Sequence, residues 1–209
     1  LIGSIDNNYS PTQEVEMLVL KAKKLLSEGK YLDSKDYFTK ALKIIEKEEN
    51  KDKLAQVYLT VGKIYGEMGD NEKLLQYSEK VYDLKKSDSD EYMMDSLFNI
   101  IESYIDSNNF EQAKKYSKLA LAAAIKTKSK YDEFRALKYY CDIYKYKGET
   151  EISIEYLLKC IDIVSALDKE EVLGNLYIEL GQLYSGISKD KELECYQKGV
   201  TIFKNLEII

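Results

Sequence analysis

The feature that most constrains this chain is a pattern of small and aromatic residues that returns about every 40 residues. Five residues occupy the same place in the pattern: Ala22, Gly62, Ile101, Cys141 and Gly181. Their spacings are 40, 39, 40 and 40, and a tyrosine or leucine follows each of them by three residues. Five units at one period predict a repeat architecture, in which each unit buries its apolar face only against its neighbours. The fifth unit is one residue short between Tyr184 and Cys195, and we place the difference in the turn SGISKD.

The second unit, YLTVGKIYGEMGDNEKLLQYSEKV from residue 58 to 81, shows most clearly what one repeat contains. Tyr58, Val61, Gly62 and Tyr65 stand at i, i+3, i+4 and i+7, which places them on one face of a helix. The polar run at 69–71 interrupts this pattern, and a second apolar periodicity follows it. Because a glycine inside a helix costs about 1 kcal/mol relative to alanine, we expect a close approach of the partner helix at that position. Each unit is therefore predicted to be a pair of antiparallel helices.

The spacing aromatic-x2-aliphatic-Gly-x2-Tyr resembles the first half of the tetratricopeptide repeat (TPR) signature, and Ser34-x3-Phe38-x2-Ala41 resembles the second half. The resemblance covers about residues 13–207 and implies an all-α fold, a right-handed α-solenoid of five TPR-like helical hairpins with about ten helices. Residues 1–12 are read as a linker with Thr12 as the first helix N-cap, followed by a single array. The repeats are expected at about 13–48, 51–86, 90–128, 130–168 and 170–206. A period near 40 instead of 34 predicts longer helices or longer links.

Composition argues against several classes of function. A net charge of −6 makes the whole chain an unsuitable electrostatic partner for nucleic acid or an anionic membrane. No run approaches the roughly 18 apolar residues of a membrane helix, and no signal peptide is visible. The chain has no histidine, and its cysteines lack metal-ligand spacing, so we expect three reduced thiols, no metal and no cofactor. Acidic pairs stand at turns and helix starts, and no phosphate loop or catalytic set is present, so no enzyme is predicted.

Two features of the composition have more than one interpretation. The 19 tyrosines could form a base-stacking surface, but most occupy motif positions that pack between helices, and core packing is the favoured interpretation. Between Lys126 and Lys147 there are seven basic and three acidic residues, a local charge of +4. A solvated basic face and a functional basic patch both remain open for this segment.

The resemblance also implies where a ligand would bind. In TPR arrays the first helix of each hairpin lines an inner groove. The lining residues stand six, three and two residues before the repeated small position and one residue after it. In this sequence the predicted groove residues are Gln56, Thr60, Lys63, Phe98, Asn99, Glu102, Arg135, Lys138, Tyr139, Asp142, Asn175, Ile178 and Gln182. Such a mixed surface suits an extended or helical peptide.

A carboxylate clamp is a narrower possibility within this groove. Chaperone-type TPR domains hold a C-terminal carboxylate with two asparagines, two lysines and an arginine. Only Asn99 and Arg135 match that pattern here, whereas Leu59, Lys63 and Tyr139 depart from it, so a full clamp is not expected. Arg135 is the single arginine among 31 basic residues. One hypothesis is that its guanidinium group binds a ligand carboxylate through two hydrogen bonds, and the alternative is that the arginine arose by chance.

The long period and the Lys-, Ile-, Tyr- and Asn-rich composition are similar to the C-terminal sensor halves of Gram-positive peptide-pheromone regulators, the Rap–NprR–PlcR–PrgX type. The resemblance implies a cytoplasmic bacterial module that reads a peptide in its groove and contacts no nucleic acid or membrane itself. The chain begins at Leu1, so we expect a DNA-binding domain to be missing. The alternatives are a protein–protein scaffold or adaptor without a small ligand, and a fragment of a Rap-like phosphatase or anti-activator. The apolar residues of the last helix, up to Ile208 and Ile209, predict a homodimer interface or a covering segment.

Overall fold

The computed structural model describes residues 10–47, 50–88 and 90–206. Over these residues the chain forms ten α-helices of 15–18 residues and no strand. The helices are α1 (Pro11–Ser27), α2 (Tyr31–Ile45), α3 (Lys51–Glu67), α4 (Asn71–Lys85), α5 (Glu91–Asp106), α6 (Phe110–Thr127), α7 (Lys130–Tyr146), α8 (Thr150–Ser165), α9 (Glu170–Tyr184) and α10 (Lys189–Asn205). Within the described segments, no helix combines the length and the apolar character that crossing a membrane requires. The long period is therefore explained by long helices joined by short links.

The chain divides into two compact units, residues 1–103 and 104–209, with the boundary inside α5. In the first unit α1 packs on α2 and α3 on α4, and α2 also contacts α3. In the second unit α7 packs on α8 and α9 on α10, and α6–α7 and α8–α9 are contacts between repeats. The consecutive helices named here thus pack together within their own unit, as the repeat pattern predicts.

Left-handed residues close the turns within the hairpins. Gly29, Gly69, Asn108 and Gly148 have φ between 57° and 80°, and each stands seven residues after the small position of its repeat. In the second repeat the N–H of Asp70 donates to the carbonyl of Tyr65 at 2.8 Å, the bond that ends a helix in a Schellman motif. The side chain of Asp70 then accepts a hydrogen bond from the N–H of Lys73 and caps the next helix. A turn of three residues therefore both ends one helix and begins the next.

In the fifth repeat the second helix begins one residue earlier, as the sequence predicts, although the link at 185–188 has four residues because α9 ends sooner after the small position. Its left-handed residue is Gly186, only five residues after the small position, and α10 begins one residue earlier in the repeat than α8 does. The shift persists along the helix. The thiol of Cys160 contacts the carbonyl oxygen of Phe134, 26 residues earlier, whereas a Cβ at Gly199 would lie 3.0 Å from the carbonyl oxygen of Gly174, 25 residues earlier. Residues of α10 therefore correspond to residues of α8 with an offset of 39.

The first helix begins earlier than the sequence analysis predicts. Ser10 is the N-cap of α1, and Pro11 occupies the first helical position, which suits its fixed φ. The side chains of Ser10 and Gln13 complete a reciprocal capping box. The assignment of Thr12 as N-cap is wrong, since proline after serine is already a complete start signal. The remainder of the predicted linker, residues 1–9, lies outside the described residues.

Each unit has its own hydrophobic core between the stacked helices. In the first unit the core includes Phe38, Ile45 and Ile64, each at most 1% exposed, and in the second it includes Leu157 and Val164. Tyrosines cover the edges of the hairpins by packing on one another. The ring of Tyr77 lies 5.8 Å from the rings of Tyr58 and Tyr65, and the ring of Tyr156 lies 5.0 Å from that of Tyr140 and 5.6 Å from that of Tyr144. These contacts confirm core packing for these tyrosines.

One buried lysine ties the second repeat to the start of the third. The ammonium group of Lys85, at the end of α4, lies 2.6–2.7 Å from the carboxylates of Asp52, Asp88 and Asp90, and its side chain is 5% exposed. The hydrogen bonds that its ammonium group donates to these three carboxylates raise the pKa of Lys85 above its ordinary value. Asp90 also caps α5 by accepting a hydrogen bond from the N–H of Met93. These aspartates therefore have structural roles, in agreement with their interpretation from the sequence.

Two buried serines of the first unit provide a matched test of this packing. The hydroxyl of Ser34 donates to the carbonyl oxygen of Ala22 at 2.7 Å, whereas the buried hydroxyl of Ser78 has no hydrogen-bond partner. Both substitutions to alanine gain the same helix propensity, so their difference isolates the hydrogen bond. We expect Ser34→Ala to lower the free energy of unfolding relative to Ser78→Ala by about 1–2 kcal/mol in urea denaturation. Equal effects of the two substitutions would contradict this account.

The three cysteines are free and buried, and two of them lie in the core between α7 and α8. Burial raises the pKa of the Cys141 thiol to about 11, against a weaker opposing effect of its hydrogen bond with Ser153. The neutral thiol is thus favoured in the folded state. Its contribution to stability is present below the ordinary pKa and is lost as pH rises through about 11.

We therefore expect the native protein to react slowly with a thiol reagent at pH near 8, and the unfolded protein to react fully. Cys141→Ala should cost on the order of 1 kcal/mol from lost packing, measured by urea denaturation. If a reductant unfolds the protein, a disulfide must exist and the assignment is wrong.

Candidate functional site

The first helices of adjacent repeats lie side by side in the second unit and share a network of charges. The ammonium group of Lys138 on α7 lies 2.6 Å from the carboxylate of Asp142 and 3.1 Å from that of Glu179 on α9. Lys145 reaches the same oxygen of Glu179 at 3.3 Å. The side chains of Lys138, Asp142 and Glu179 are only 17–26% exposed, so the network is partly withdrawn from solvent. Two positive and two negative groups balance there.

The pKa shifts in this network reflect both its ion pairs and its partial burial. Burial alone lowers the pKa of Lys138, but the carboxylates of Asp142 and Glu179 outweigh it and raise this pKa above its ordinary value. Burial also raises the pKa of Asp142, against the attraction of Lys138. Lys138 therefore stays protonated, and removing it would leave two carboxylates facing each other.

The same place holds the one group of potential metal ligands found among the described residues. The thiol of Cys141 and the carboxylate oxygens of Asp142 and Glu179 lie within 4.8 Å of one another. A cation there would have to replace the ammonium group of Lys138 and to displace the proton of a thiol whose pKa is about 11. The arrangement suits an ion-pair network better than a metal centre.

In the first unit the first helices α1 and α3 also lie side by side and enclose a cleft. The cleft has a volume of about 220 Å³ and is lined by Val15, Glu16, Val19, Leu20, Lys23, Lys53, Gln56 and Val57. Three valines, 1–7% exposed, form its floor. Leu20 is 68% exposed at the rim, and the ammonium group of Lys53 bridges the helices to the carboxylate of Glu16 at 2.5 Å. An apolar floor with a mixed polar rim is the usual chemistry of a ligand-binding cleft.

Sequence reasoning predicted only Gln56 of this cleft. The offsets that gave Gln56 in the second repeat give Glu16, Val19, Leu20 and Lys23 when they are counted from Ala22 in the first repeat. All four line the cleft. The sequence therefore contained the signal, but the offsets were not applied to the first repeat.

The other predicted groove residues differ in accessibility. Exposed side chains belong to Gln56, Lys63, Glu102, Asn175 and Gln182, and half-buried ones to Thr60, Asn99, Arg135, Lys138, Tyr139, Asp142 and Ile178. Phe98 is 1% exposed and is a core residue, so its assignment to the groove is wrong. Ile178 contacts Gly199 of α10, where a Cβ would lie 2.7 Å from its terminal methyl group, so it packs inside its own hairpin. Phe98 shows that an apolar side chain at the predicted offset can turn toward the core, whereas the groove assignment of the half-buried Ile178 stays a prediction.

The structure leaves the pairing of Asn99 with Arg135 untested, because they belong to different units. Within its own unit, a guanidinium nitrogen of Arg135 lies 3.8 Å from a carboxylate oxygen of Asp132. The arginine side chain is 33% exposed. A carboxylate-binding role for Arg135 remains a hypothesis.

The basic segment from Lys126 to Lys147 is largely neutralised by nearby carboxylates. Ion pairs join Lys130 to Glu133, Arg135 to Asp132, Lys138 to Asp142 and Glu179, Lys145 to Glu179, and Lys147 to Glu149. The exposed pairs among these contribute little to stability, but all of them reduce the field that a polyanion would meet. The structure favours the interpretation of this segment as a solvated face.

Comparison with known proteins supports the repeat assignment. Residues 55–88 match the tetratricopeptide-repeat family model. No curated protein matches the sequence. Among solved structures, BtubC (BKLC) from P. vanneervenii is 16% identical with a TM-score of 0.83, and the similarity covers 92% of this chain and 81% of that one.

Two Rap-type structures are also similar. Aspartyl phosphate phosphatase F from Bacillus subtilis is 17% identical with a TM-score of 0.85, over 95% of this chain and 53% of that one. A Rap protein complexed with competence and sporulation factor is 16% identical with a TM-score of 0.75, over 97% and 57%. This chain thus spans little more than half of each of these two proteins. At these identities the likeness shows the fold, which is a TPR-like helical solenoid that resembles Rap-type sensors.

Proposed function

We propose that this chain is a binding module that holds a peptide or a protein segment on the surface formed by its first helices. The cleft between α1 and α3 is the observation that carries the proposal. Its valine floor can accept an aliphatic side chain, and Gln56 and the Lys53–Glu16 pair at its rim can bond to a polypeptide backbone. The four residues of α1 at the groove offsets, Glu16, Val19, Leu20 and Lys23, all line this cleft. Their agreement with the offsets of the other repeats supports a binding surface that recurs from repeat to repeat.

The first helices of the second unit carry a candidate surface of their own with different chemistry. The network around Lys138 is internally neutral, so it offers fixed hydrogen-bonding groups rather than a net charge. The exposed amides of Asn175 and Gln182 stand on α9, the helix that carries Glu179. Amide side chains can satisfy both the N–H and the C=O groups of an extended ligand.

We further propose that the module is the regulatory part of a cytoplasmic bacterial regulator that senses a peptide. The likeness to a Rap protein complexed with competence and sporulation factor supports this proposal. A helix-turn-helix encoded upstream of Leu1 would favour a transcription regulator, and a helical effector domain would favour a Rap-like protein. The second candidate is a protein–protein scaffold, which is favoured by exposed apolar side chains outside the cleft, such as Ile125 at 58% and Tyr146 at 66%.

Two leucines of the first unit allow a matched binding test. Leu20 at the rim of the cleft and Leu32 on α2 are 68% and 69% exposed, so aspartate should be tolerated equally at both positions. Displayed random short peptides would be selected against the full chain, and their affinities measured by calorimetry. We expect Leu20→Asp to weaken the selected peptides by about tenfold or more, that is at least about 1.4 kcal/mol, because it places a charge on the apolar cleft.

The control variant Leu32→Asp should bind as the unmodified chain does. Equal binding by both variants would place the ligand elsewhere, and the absence of any selected peptide would favour the scaffold interpretation instead.

Arg135 and Asn99 generate a separate prediction about recognition of a ligand carboxylate. If the guanidinium group binds a carboxylate with two hydrogen bonds, Arg135→Lys should weaken such a peptide by about 1–2 kcal/mol. Asn99→Ala should have a similar effect through lost backbone contacts. Melting temperatures should stay unchanged in both variants. Calorimetry with matched peptides that carry a free or an amidated C-terminus would measure the effect, and unchanged affinity in both variants would remove these residues from the site.

A further inference from the structure

Helix α10 carries apolar side chains that no described residue of the chain covers. On one side it packs against α9, where Phe203 lies against Gly174 and Gly199 against Ile178. On another side Leu193 and Val200 are 57% and 37% exposed. These two residues are seven positions apart, so they lie on one stripe of the helix.

The repeat itself shows what this stripe does elsewhere. With the offset of 39 between α8 and α10, Leu193 corresponds to Ile154 and Val200 to Ile161. Ile154 and Ile161 are only 8% and 6% exposed, and both belong to the core that α8 shares with leucines of α9. The stripe of α10 therefore corresponds to the face of α8 that is buried against α9, the first helix of the following repeat.

The first helix of the array is built differently. The face of α9 that packs on α8 carries Leu176, Leu180 and Leu183, which are 3–8% exposed. At the corresponding positions α1 carries Met17, Lys21 and Lys24, all of them exposed. Two of these three α1 residues are lysines, which solvent accepts readily, whereas the stripe of α10 is apolar at both positions.

The charges beside the stripe indicate a partner. Exposed residues at spacings of 3, 4, 3 and 4 form a seam along α10: Asp190, Leu193, Gln197, Val200 and Lys204. This is the spacing of the contact positions of a coiled coil. The seam is acidic at its beginning and basic at its end, so two copies in parallel would oppose like charges. Two antiparallel copies centred on Gln197 would instead pair Asp190 with Lys204 at both ends.

We propose that two copies of this chain associate through an antiparallel pair of α10 helices related by a two-fold axis at Gln197. Leu193 of each copy packs beside Val200 of the other, and the two Gln197 amides hydrogen-bond across the axis. Asp190 and Lys204 form an ion pair at each end and fix the direction. One helix pair buries less than the roughly 1,600 Å² of a standard interface, so the dimer forms in the micromolar range or above. This association is independent of ligand binding by the first helices.

Sedimentation velocity of the full chain over a concentration series tests the proposal. The unmodified chain is expected to shift from monomer to dimer as its concentration rises. Leu193→Asp should weaken the dimer by at least about tenfold, because it buries a charge in the seam. Its control is Ile125→Asp on α6, where the isoleucine is 58% exposed and the dimer should be unaffected.

Charge reversal tests the antiparallel direction. Lys204→Asp and Asp190→Lys should each weaken the dimer, and the double variant should restore it, because the ion pairs re-form with opposite sign. Circular dichroism of each variant verifies that the helices remain folded. A chain that stays monomeric at all concentrations overturns the proposal, and a dimer that the double variant fails to restore overturns the antiparallel seam.

Discussion

The structure depends on the packing of the two helices of a hairpin at one repeated position, and the helices approach most closely where that position holds glycine, in the second and fifth repeats. A Cβ at Gly62 would lie 3.3 Å from the Cβ of Tyr77, and a Cβ at Gly181 would lie 2.7 Å from the ring of Tyr196. The second distance is shorter than real contacts allow, so only glycine suits that position with Tyr196 in place. Close approach lets the aromatic side chains of the second helix cover the first, and a three-residue turn then suffices to join them. The repeated small position thereby sets the geometry of the hairpin.

This packing leaves one stripe of each first helix available for other uses. One side of α9 contacts α8 through leucines, and another contacts α10 through Gly174, Ile178 and Gly181. The residues between these two sides face the adjacent first helix, as Glu179 does toward Lys138. Side chains on this stripe are not needed for packing within a hairpin, so they can vary in chemistry from one repeat to the next. A valine-floored cleft in the first unit and a neutral ion network in the second illustrate this freedom.

The sequence predicts the ten helices and their approximate bounds because the periodic small and aromatic residues mark every hairpin. It even predicts the one-residue shift of α10 in the fifth repeat, since a missing residue shifts the whole pattern. It predicts the candidate site less well. Fixed offsets place Phe98 on the groove, but an apolar side chain near a helix interface can turn inward, and the offset alone does not distinguish the two orientations. The bridge between Glu16 and Lys53 was missed because it depends on side chains from two repeats meeting in space.

The central claim of this account is that ligands bind on the first helices. Photo-cross-linking from single sites tests it most directly. A photoreactive amino acid would replace either Lys23 at the cleft of α1 or Lys43 on α2, both of which are exposed. With a selected peptide bound, the account predicts a cross-link from position 23 and none above background from position 43. A cross-link from position 43 alone would place the ligand on the second helices and contradict the account.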